Sequence, residues 1–287
     1  SNLSIHLLIR AEEARSGVMN GSDDPAAAVS GRWIVEAIGL LEHVRETQLG
    51  VIGTAAEICA HAIGSGGLVH LFGTGHSRIP VEEMFPRFGS YPGFNPIVEL
   101  SMTFHTQITG ANGQRQAMFI ERVEGLADEI LANFDFGPND AMIIYSSSGS
   151  TAVPIEMALG ARERGLPVIA VTSIAHSSAT ASGHSSGTRL MDHADIVIDL
   201  GTPPGDSLVE IDGPEARVGP GSTISNVAIT NEIKVQTAAL LAARGDLPPV
   251  LSGAAVVGAE RSNELFRAAY AEHSRRLAGV LAKPDTL

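Results

Sequence analysis

The sequence is poor in basic residues. Its 287 residues include 19 lysines and arginines against 32 aspartates and glutamates, a formal net charge of −13 at neutral pH with histidine uncharged. No run of lysine or arginine interrupts this acidic background, so the electrostatic footprint of a nucleic-acid-binding surface is missing. We therefore expect no nucleic-acid partner, and any anionic ligand must be held by local groups.

Cysteine and long apolar segments are also scarce. Cys59 is the single cysteine, so no internal disulfide is expected. The first residues do not combine a basic segment with an apolar core as a secretion signal does. The longest apolar stretches, such as residues 141–145 and 249–257, fall well short of a bilayer span. These features predict a cytoplasmic protein that does not associate with a membrane.

Apolar residues make up 44% of the chain, which is enough for a sizeable core. Short runs rich in valine and isoleucine recur, each followed by small polar residues and then by a longer amphipathic segment. The runs lack the alternation of a half-exposed strand, which indicates a parallel sheet buried on both faces. The predicted strands are residues 67–72, 94–100, 141–145, 166–171 and 195–200.

The segments between these strands have helical periodicity. Gly165 and Gly245 stand where helix C-termini are expected, and Ser222 stands where an N-cap is expected. The predicted helices are residues 32–63, 80–88, 120–134, 151–164 and 222–243, followed by a terminal helix after Arg261. We predict a loosely attached arm at residues 1–31, an α/β ligand-binding domain at 32–250 and a helical extension at 251–287.

Two strand-to-helix loops are candidates for ligand binding, because ligands of open parallel sheets bind beyond the carboxyl ends of the strands. Residues 73–77 (GTGHS) follow the first predicted strand, and residues 146–151 (SSSGST) follow the third. The second loop places five hydroxyl groups at a helix start, where free N–H groups and the helix dipole favour an anion. Gly149 allows close approach of the backbone. The predicted phosphate ligands are Ser146, Ser147, Ser148, Ser150 and Thr151; an ordinary capped turn with surplus serines is the alternative.

The first loop also has a feature of dinucleotide-binding folds. Gly73 and Gly75 have GxG spacing, and Glu99 ends the next predicted strand, where a ribose-binding carboxylate is expected. Arg78 stands at the position of the third glycine, and no GxxxxGK[ST] segment occurs, which makes nucleotide binding the minor alternative. Among the ten histidines, none has HxH or HExxH spacing with an acidic partner. We expect neither a metal nor an organic cofactor.

Together these motifs resemble the SIS (sugar isomerase) family over about residues 32–245. The resemblance rests on the strand followed by SxSGxT at residues 146–151, on the GTGHS loop, and on the GHS, EEMF and VPIEMAL stretches typical of one branch of that family. It implies a flavodoxin-like, three-layer fold with a five-stranded parallel sheet, helices on both faces and helical extensions at both ends. It also implies that residues 32–250 form a phosphosugar-binding SIS domain and that Ser77 adds a phosphate contact from the first loop.

More distantly, the chain resembles phosphoheptose isomerases and the etherases that cleave lactate from N-acetylmuramic acid 6-phosphate. The first resemblance implies a catalytic glutamate at Glu83, within residues 81–87, and places Glu232 where those isomerases have a histidine. The second, through residues 123–125 in a helix and 221–223 at a helix start, makes Glu124 another candidate base. His76 or His105 is the predicted proton-handling residue. The pocket candidates are Gly75, Glu99, His105, Glu124, His176 and Ser222, and His184 flanks the same serine-rich segment as His176.

Each of these polar residues also has a purely structural interpretation. The structural alternative is a solvated helix residue for Glu124, a salt bridge with Arg122 for Glu99, and a ring that only packs over its loop for His76. For Glu124 and for His105 the residues alone favour surface exposure.

The predicted function is binding of a small-molecule sugar phosphate, with cofactor-independent aldose–ketose isomerisation by a carboxylate base as the activity. A sugar-phosphate etherase or lyase uses the same first proton removal and stays an alternative. So does a non-catalytic phosphosugar sensor that acts on a protein partner. Apolar stripes on the helix at 32–63 and on the terminal helix favour a homodimer or homotetramer.

Overall fold

The computed structural model describes residues 24–281 except residues 105, 108, 109, 214 and 216. A five-stranded sheet forms its centre, with all neighbouring strands parallel and with the order β2-β1-β3-β4-β5. The winding direction reverses between β1 and β3, which opens a crevice at the carboxyl ends of these two strands. The strands are β1 (Val69–Gly73), β2 (Phe94–Pro96), β3 (Ala141–Tyr145), β4 (Val168–Thr172) and β5 (Ile196–Asp199).

The sheet is buried on both faces because apolar side chains point both ways along its central strands. Leu71 and Ile143 belong to the core on one face, whereas Phe72 and Ile144 belong to the core on the other. All five residues of β1, β3 and β4 are buried. This explains why the strands appear in the sequence as continuous apolar runs, and it confirms the predicted three-layer α/β fold.

Helices cover both faces of the sheet. In chain order they are α1 (Pro25–Val29), α2 (Arg32–Thr47), α3 (Leu49–Gly64), α4 (Arg78–Met84), α5 (Leu100–Thr103), α6 (Gly113–Ile120), α7 (Leu126–Leu131), α8 (Ala152–Glu163), α9 (Ile174–Ala179), α10 (Ser222–Arg244), α11 (Ala254–Val257) and α12 (Ala259–Leu277). Helices α3, α4, α10 and α12 contribute to one core, and α5, α7 and α8 contribute to the other. Short 3-10 turns lie at Gly75–Ser77, Gly110–Asn112 and Leu190–His193.

Helix α10 runs antiparallel to the strands. Near its start, the Thr230 hydroxyl donates to the Tyr145 hydroxyl at the carboxyl end of β3, over 3.1 Å. Further along, Leu241 lies against Gly64, which precedes the amino end of β1. The first turn of α10 therefore projects past the carboxyl edge of the sheet, beside the two candidate loops.

Several predicted elements differ from the structure. The helix predicted at 32–63 is divided at Gln48, whose side-chain oxygen accepts from the Asp199 N–H at 2.9 Å and fastens the bend to the end of β5. The helix predicted at 120–134 is broken because Gly125 has a φ of +87°, a conformation that a helix cannot contain. Glu124 therefore lies in a turn and not in a helix. The strand predicted at 94–100 ends at Pro96.

Two further differences concern the start of α10. Gly221 occupies the N-cap position, so the predicted N-cap Ser222 is the first helical residue. An antiparallel hairpin that the sequence did not reveal, β6 (Ser207–Val209) and β7 (Val218–Pro220), precedes the helix. Gly165 and Gly245 end their helices with φ values of +81° and +79°, as predicted.

The C-terminal helix α12 packs on the sheet domain through Ala269 and Phe266, which join the same core as α3 and α10. The predicted domain boundaries at residues 31 and 250 stay predictions, and the greater part of the predicted arm lies outside the described residues. Within the described part of the chain, no helix is both long and apolar enough to cross a bilayer.

Candidate ligand-binding site

The two candidate loops begin side by side. Gly73 at the end of β1 is in register with Tyr145 at the end of β3, so Thr74 and Ser146 leave the sheet from adjacent positions. Residues 146–151 then lead directly into α8, with Thr151 as its N-cap residue. The arrangement places the first turn of a 12-residue helix at the switch point of the sheet.

The serine loop is held in shape by bonds to its main chain. The Gly149 carbonyl accepts from the Leu190 N–H at 2.8 Å, and the Ser150 carbonyl accepts from the Gly183 N–H at 2.7 Å. Gly149 itself has a φ of +57°, the left-handed conformation that glycine adopts without strain. These bonds hold the loop through its carbonyl groups and do not use its hydroxyl groups, which are free to bind other partners.

Those hydroxyls form few bonds outside the loop. Ser146 Oγ accepts from the Gly149 N–H at 3.2 Å, and the Ser150 hydroxyl donates to Ser148 Oγ at 3.0 Å. Thr151 makes no side-chain capping bond, and its buried Oγ1 has no partner among the described residues. Ser147 is half-buried, and its carbonyl accepts from Ser173 N–H at 3.0 Å.

Buried polar atoms without a partner concentrate at this edge of the sheet. In the described part of the chain nine such side-chain atoms occur, and six of them belong to the loops and helix starts beyond β3, β4 and β5 or to the first turn of α10. Buried polar atoms are almost always paired in folded proteins, so this concentration indicates a place where a polar ligand or water completes the bonding. The six atoms are Thr151 Oγ1, His176 Nδ1, Ser177 Oγ, Thr202 Oγ1, Ser225 Oγ and Asn226 Oδ1.

The first loop borders a cavity of about 190 Å³. Thr74 donates its hydroxyl to the Glu121 carboxylate, and the Glu121 carbonyl accepts from the Val153 N–H of α8 at 3.1 Å. Glu121 therefore connects the first loop to the start of the helix that follows the serine loop. Sequence reasoning missed Glu121, because no local motif distinguishes it. The cavity is lined by Thr74, Gly75, His76, Met102, Gln114, Ala117, Met118 and Glu121.

The first loop itself forms a tight turn. The Ser77 N–H donates to the Thr74 carbonyl at 2.9 Å, and a Cβ on Gly73 would clash with the Ser77 carbonyl. Gly75 has a φ of +53°. Ser77 is half-buried at the start of α4, and His76, between Gly75 and Ser77, is exposed.

Glu83 lies on α4 and faces α10. Its Oε1 accepts from Asn231 Nδ2 at 2.8 Å, its Oε2 accepts from Arg87, and its carbonyl accepts from the buried Lys234 ammonium at 2.7 Å. Burial raises the pKa of Glu83, but the bonds from Asn231 and Arg87 outweigh it, so the pKa lies below its ordinary value. The carboxylate is thus ionised and engaged by neighbours. Glu232, on the exposed side of α10, accepts from Gln236 Nε2 at 3.3 Å.

Glu124 lies in the turn before α7 and is bound to the segment after β4. Ser185 donates to its two oxygens, from N–H at 2.6 Å and from its hydroxyl at 2.7 Å, and these bonds lower the pKa of Glu124. Glu156 of α8 accepts from the Gly125 N–H at 2.8 Å, and His184 Nε2 lies 3.4 Å from Glu156 Oε1. The turn, the helix and the segment beside the serine loop are joined in this way.

Glu124, Glu156 and His184 also bring three ligand-type atoms within 4.8 Å of one another. The Ser186 N–H donates to His184 Nδ1 at 3.1 Å, which leaves the imidazole proton on Nε2, toward the carboxylates. A metal ligand needs that nitrogen free of its proton. The geometry therefore favours an imidazole whose Nε2–H faces the Glu156 carboxylate over a metal centre.

The remaining predicted residues have structural bonds of their own. Glu99 is the N-cap of α5 and accepts from the Met102 N–H at 2.9 Å and the Ser101 hydroxyl at 2.6 Å, rather than from Arg122. Ser222 donates its hydroxyl to Asp206 at 2.6 Å. His176 lies on α9 with Nδ1 unpartnered, and His105 lies outside the described residues.

Comparisons with known proteins find related sequences and similar solved structures. The model of the SIS domain matches residues 32–173. A UPF0309 protein of Streptomyces coelicolor is 35% identical over 243 residues, which cover 85% of this chain and 95% of the relative. A phosphoheptose isomerase from Francisella tularensis has a TM-score of 0.46 at 15% identity, covering 72% of this chain and 95% of that chain. The sugar isomerase domain of an RpiR transcription factor from Sphaerobacter thermophilus has a TM-score of 0.44 at 18% identity, covering 82% and 94%.

Proposed function

Because this chain belongs to the UPF0309 family of SIS-domain proteins, we propose that it binds a sugar phosphate at the serine loop and isomerises it without a cofactor. The observation that carries the proposal is the position of residues 146–151 at the switch point, immediately before α8. Helix N-termini at such positions attract anions through their free N–H groups and dipole.

The start of α10 is another helix terminus at this edge, and it suits a phosphate less well. The Asp206 carboxylate accepts from the Ser222 N–H at 2.7 Å and from the Ser222 hydroxyl at 2.6 Å. A negative charge therefore already occupies the end of that helix. The phosphate is assigned to Ser146, Ser147, Ser148, Ser150 and Thr151, with Ser77 across the crevice.

An aldose–ketose isomerisation needs only a base, a group that moves a proton between two oxygens, and fixed orientation of the sugar. Tight binding of the remote phosphate supplies that orientation. Carboxylates and histidines surround the crevice, so the chain's own residues suffice for the chemistry. The resemblance to phosphoheptose isomerases implies Glu83 as the base, with His76 as the proton-handling residue, but Asn231 and Arg87 already engage the two oxygens of Glu83.

The test is a thermal-shift series with sugar phosphates and the matching free sugars, on the wild-type protein, on Ser148→Ala and on the control Ser274→Ala, whose side chain is exposed on α12. A ligand at 100 times its Kd stabilises by about 2.7 kcal/mol. We expect a sugar phosphate to raise the melting temperature of the wild type and of Ser274→Ala, and Ser148→Ala to lose most of that rise.

Equal stabilisation by the free sugar, or an undiminished shift in Ser148→Ala, would contradict the phosphate assignment. Assays of the stabilising compound then separate the three activities. Interconversion of aldose and ketose identifies an isomerase, and release of a substituent identifies an etherase. Binding without turnover identifies a sensor.

A further inference from the structure

We propose that Glu121 is the catalytic base of the isomerisation and that the cavity it lines receives the carbonyl end of the sugar. This inference rests on the proposed function. It assigns a role to a residue on the turn after α6 that no motif marks, and it places the chemistry between the first loop and the start of α8.

The position of Glu121 fits the role. Its carbonyl is bonded to the Val153 N–H, 3.1 Å away, on the second residue of the helix that follows the serine loop. Its side chain reaches the opposite wall of the crevice, where Thr74 donates to it. A ligand whose phosphate lies on the serine loop therefore has its carbon chain directed toward this carboxylate.

A carboxylate oxygen without a hydrogen bond separates Glu121 from Glu83 and Glu124, the two bases that the family resemblances imply. Oε1 accepts from Thr74, and Oε2 has no hydrogen-bond partner within the described residues. Asn231 and Arg87 engage the two oxygens of Glu83, and Ser185 engages both oxygens of Glu124. A general base needs an oxygen that can reach the proton it removes, and Glu121 lines the cavity with Oε2 unbonded within the described residues.

The cavity limits what is bound there. Its volume is about 190 Å³, enough for a few carbons and their hydroxyls. Met102, Met118 and Ala117 give it an apolar wall, while Gln114 and His76 supply polar groups. The cavity fits the open-chain carbonyl end of a sugar phosphate better than an intact, substituted ring.

The proton transfer balances with these residues alone. Glu121 removes the proton from the carbon beside the aldehyde, the C–H electron pair forms a carbon–carbon double bond, and the carbonyl oxygen takes a proton from His76. The resulting enediol returns the proton of its second hydroxyl to His76 as the new ketone forms. Glu121 then delivers its proton to the former aldehyde carbon. Both residues end as they began, and no oxidant or reductant is used.

The experiment is solvent deuterium incorporation, followed by NMR, with arabinose 5-phosphate, glucose 6-phosphate, fructose 6-phosphate and sedoheptulose 7-phosphate as probes. It compares wild type, Glu121→Gln, Glu121→Asp, Glu83→Gln and Glu129→Gln. The exposed side chain of Glu129 on α7 makes that variant a matched control. Thermal shifts with the same probes report binding. We expect Glu121→Gln to lose at least about a hundredfold in exchange while the thermal shift is kept, Glu121→Asp to regain part of the exchange, and Glu129→Gln to behave as wild type.

A deuterium exchange rate of Glu121→Gln within tenfold of wild type would overturn the assignment. So would loss of exchange in Glu83→Gln while Glu121→Gln keeps it. If the wild type is stabilised by a sugar phosphate but exchanges no deuterium, the base assignment fails and phosphate binding stands. If no probe stabilises the wild type, the proposed function itself fails.

Discussion

Gly149 lies so close to Thr172 that a Cβ on the glycine would sit 2.9 Å from the threonine hydroxyl oxygen. The Thr172 hydroxyl donates to the Ser147 carbonyl at 3.3 Å, so the same group supports the serine loop from behind. Leu190 and Ser177 lie 3.4 Å from the same Cβ position. The loop therefore has its shape only with glycine at this place.

We predict that Gly149→Ala abolishes phosphosugar binding. The substitution adds left-handed strain of about 1–2 kcal/mol and overpacking of about 1–3 kcal/mol, and the loop moves to relieve them. Gly165→Ala is the matched control, since Gly165 has a φ of +81° with open space around it. In urea unfolding, Gly165→Ala should lose only the free energy that corresponds to the left-handed strain, and it should keep the thermal shift with sugar phosphates. An equal loss of binding in both variants would contradict a role for the close contact between Gly149 and Thr172.

A second prediction concerns a buried pair at the other end of the sheet. Asp140 accepts from His70 Nε2 at 3.0 Å, from the Leu68 N–H at 2.7 Å and from the Gly137 N–H at 2.8 Å. Asn95 Nδ2 lies 2.9 Å from His70 Nδ1, which directs the imidazole proton to Asp140. In Asp140→Asn the amide NH2 group replaces one carboxylate oxygen and faces a donor in either orientation, the Leu68 N–H at the Oδ1 position or His70 and Gly137 at the Oδ2 position. We therefore expect a loss of about 2–4 kcal/mol at pH 7.

That loss should depend on pH. Burial raises the pKa of Asp140, but the bonds from His70, Leu68 and Gly137 lower it further, and the net pKa lies below its ordinary value. A carboxyl group with a lowered folded-state pKa stabilises the protein above its unfolded pKa of about 3.9, and this contribution is lost as the pH falls through the folded-state value. The difference in unfolding free energy between wild type and Asp140→Asn should narrow below about pH 4. The exposed Asp135→Asn serves as control, and a constant difference would contradict the prediction.

The local sequence pattern alone was enough to predict most strands of the sheet. The strands β1, β3, β4 and β5 are continuous apolar runs, and their predicted bounds differ from the observed ones by at most two residues. The bend at Gln48 depends on a bond to Asp199, 151 positions away, and the hairpin at 207–220 packs on Leu40 of α2. Such contacts leave no periodic signal in the sequence.

The candidate site likewise contains residues that the sequence reveals and residues that only the tertiary structure reveals. The serine loop is visible because five hydroxyls precede a helix, whereas Glu121 and Glu124 lie three residues apart in one turn and are alike in sequence. Only the packing of that turn distinguishes them: Glu121 reaches Thr74 across the crevice, and Glu124 is bound by Ser185. Which carboxylate faces the cavity is a tertiary property.

Cys59 provides a third prediction. It is fully buried on α3, and burial raises the pKa of its thiol to about 12. Because the thiolate is the reactive form, we expect iodoacetamide at pH 8 to modify the native protein at least about a thousandfold more slowly than the urea-unfolded chain, as followed by mass spectrometry. Rapid modification of the native protein would show that α3 opens away from the sheet.

The last prediction concerns the assembly of subunits through α2. Ile34 and Ile38 are 59% and 43% exposed, and their spacing of four residues puts them on one face of the helix. Trp33, which is 37% exposed, is fixed beside them by a bond from its Nε1 to the Pro220 carbonyl at 3.2 Å. An apolar face of this kind is expected to be covered by a second copy of the chain.

Replacing Ile34 and Ile38 together by lysine places two charges from each subunit in the expected interface. Burial of one isoleucine contributes about 1.5–3 kcal/mol, so association should weaken by at least about a hundredfold, and sedimentation velocity should show a lower mass than for wild type. Val256→Lys, at a residue 85% exposed on α11, is the control and should keep the wild-type mass. A wild type that sediments as a monomer, or a double variant that keeps the oligomer, would remove α2 as the interface; in the second case the apolar face of α12 becomes the surface to change next, because the terminal helix is the other predicted contact between subunits.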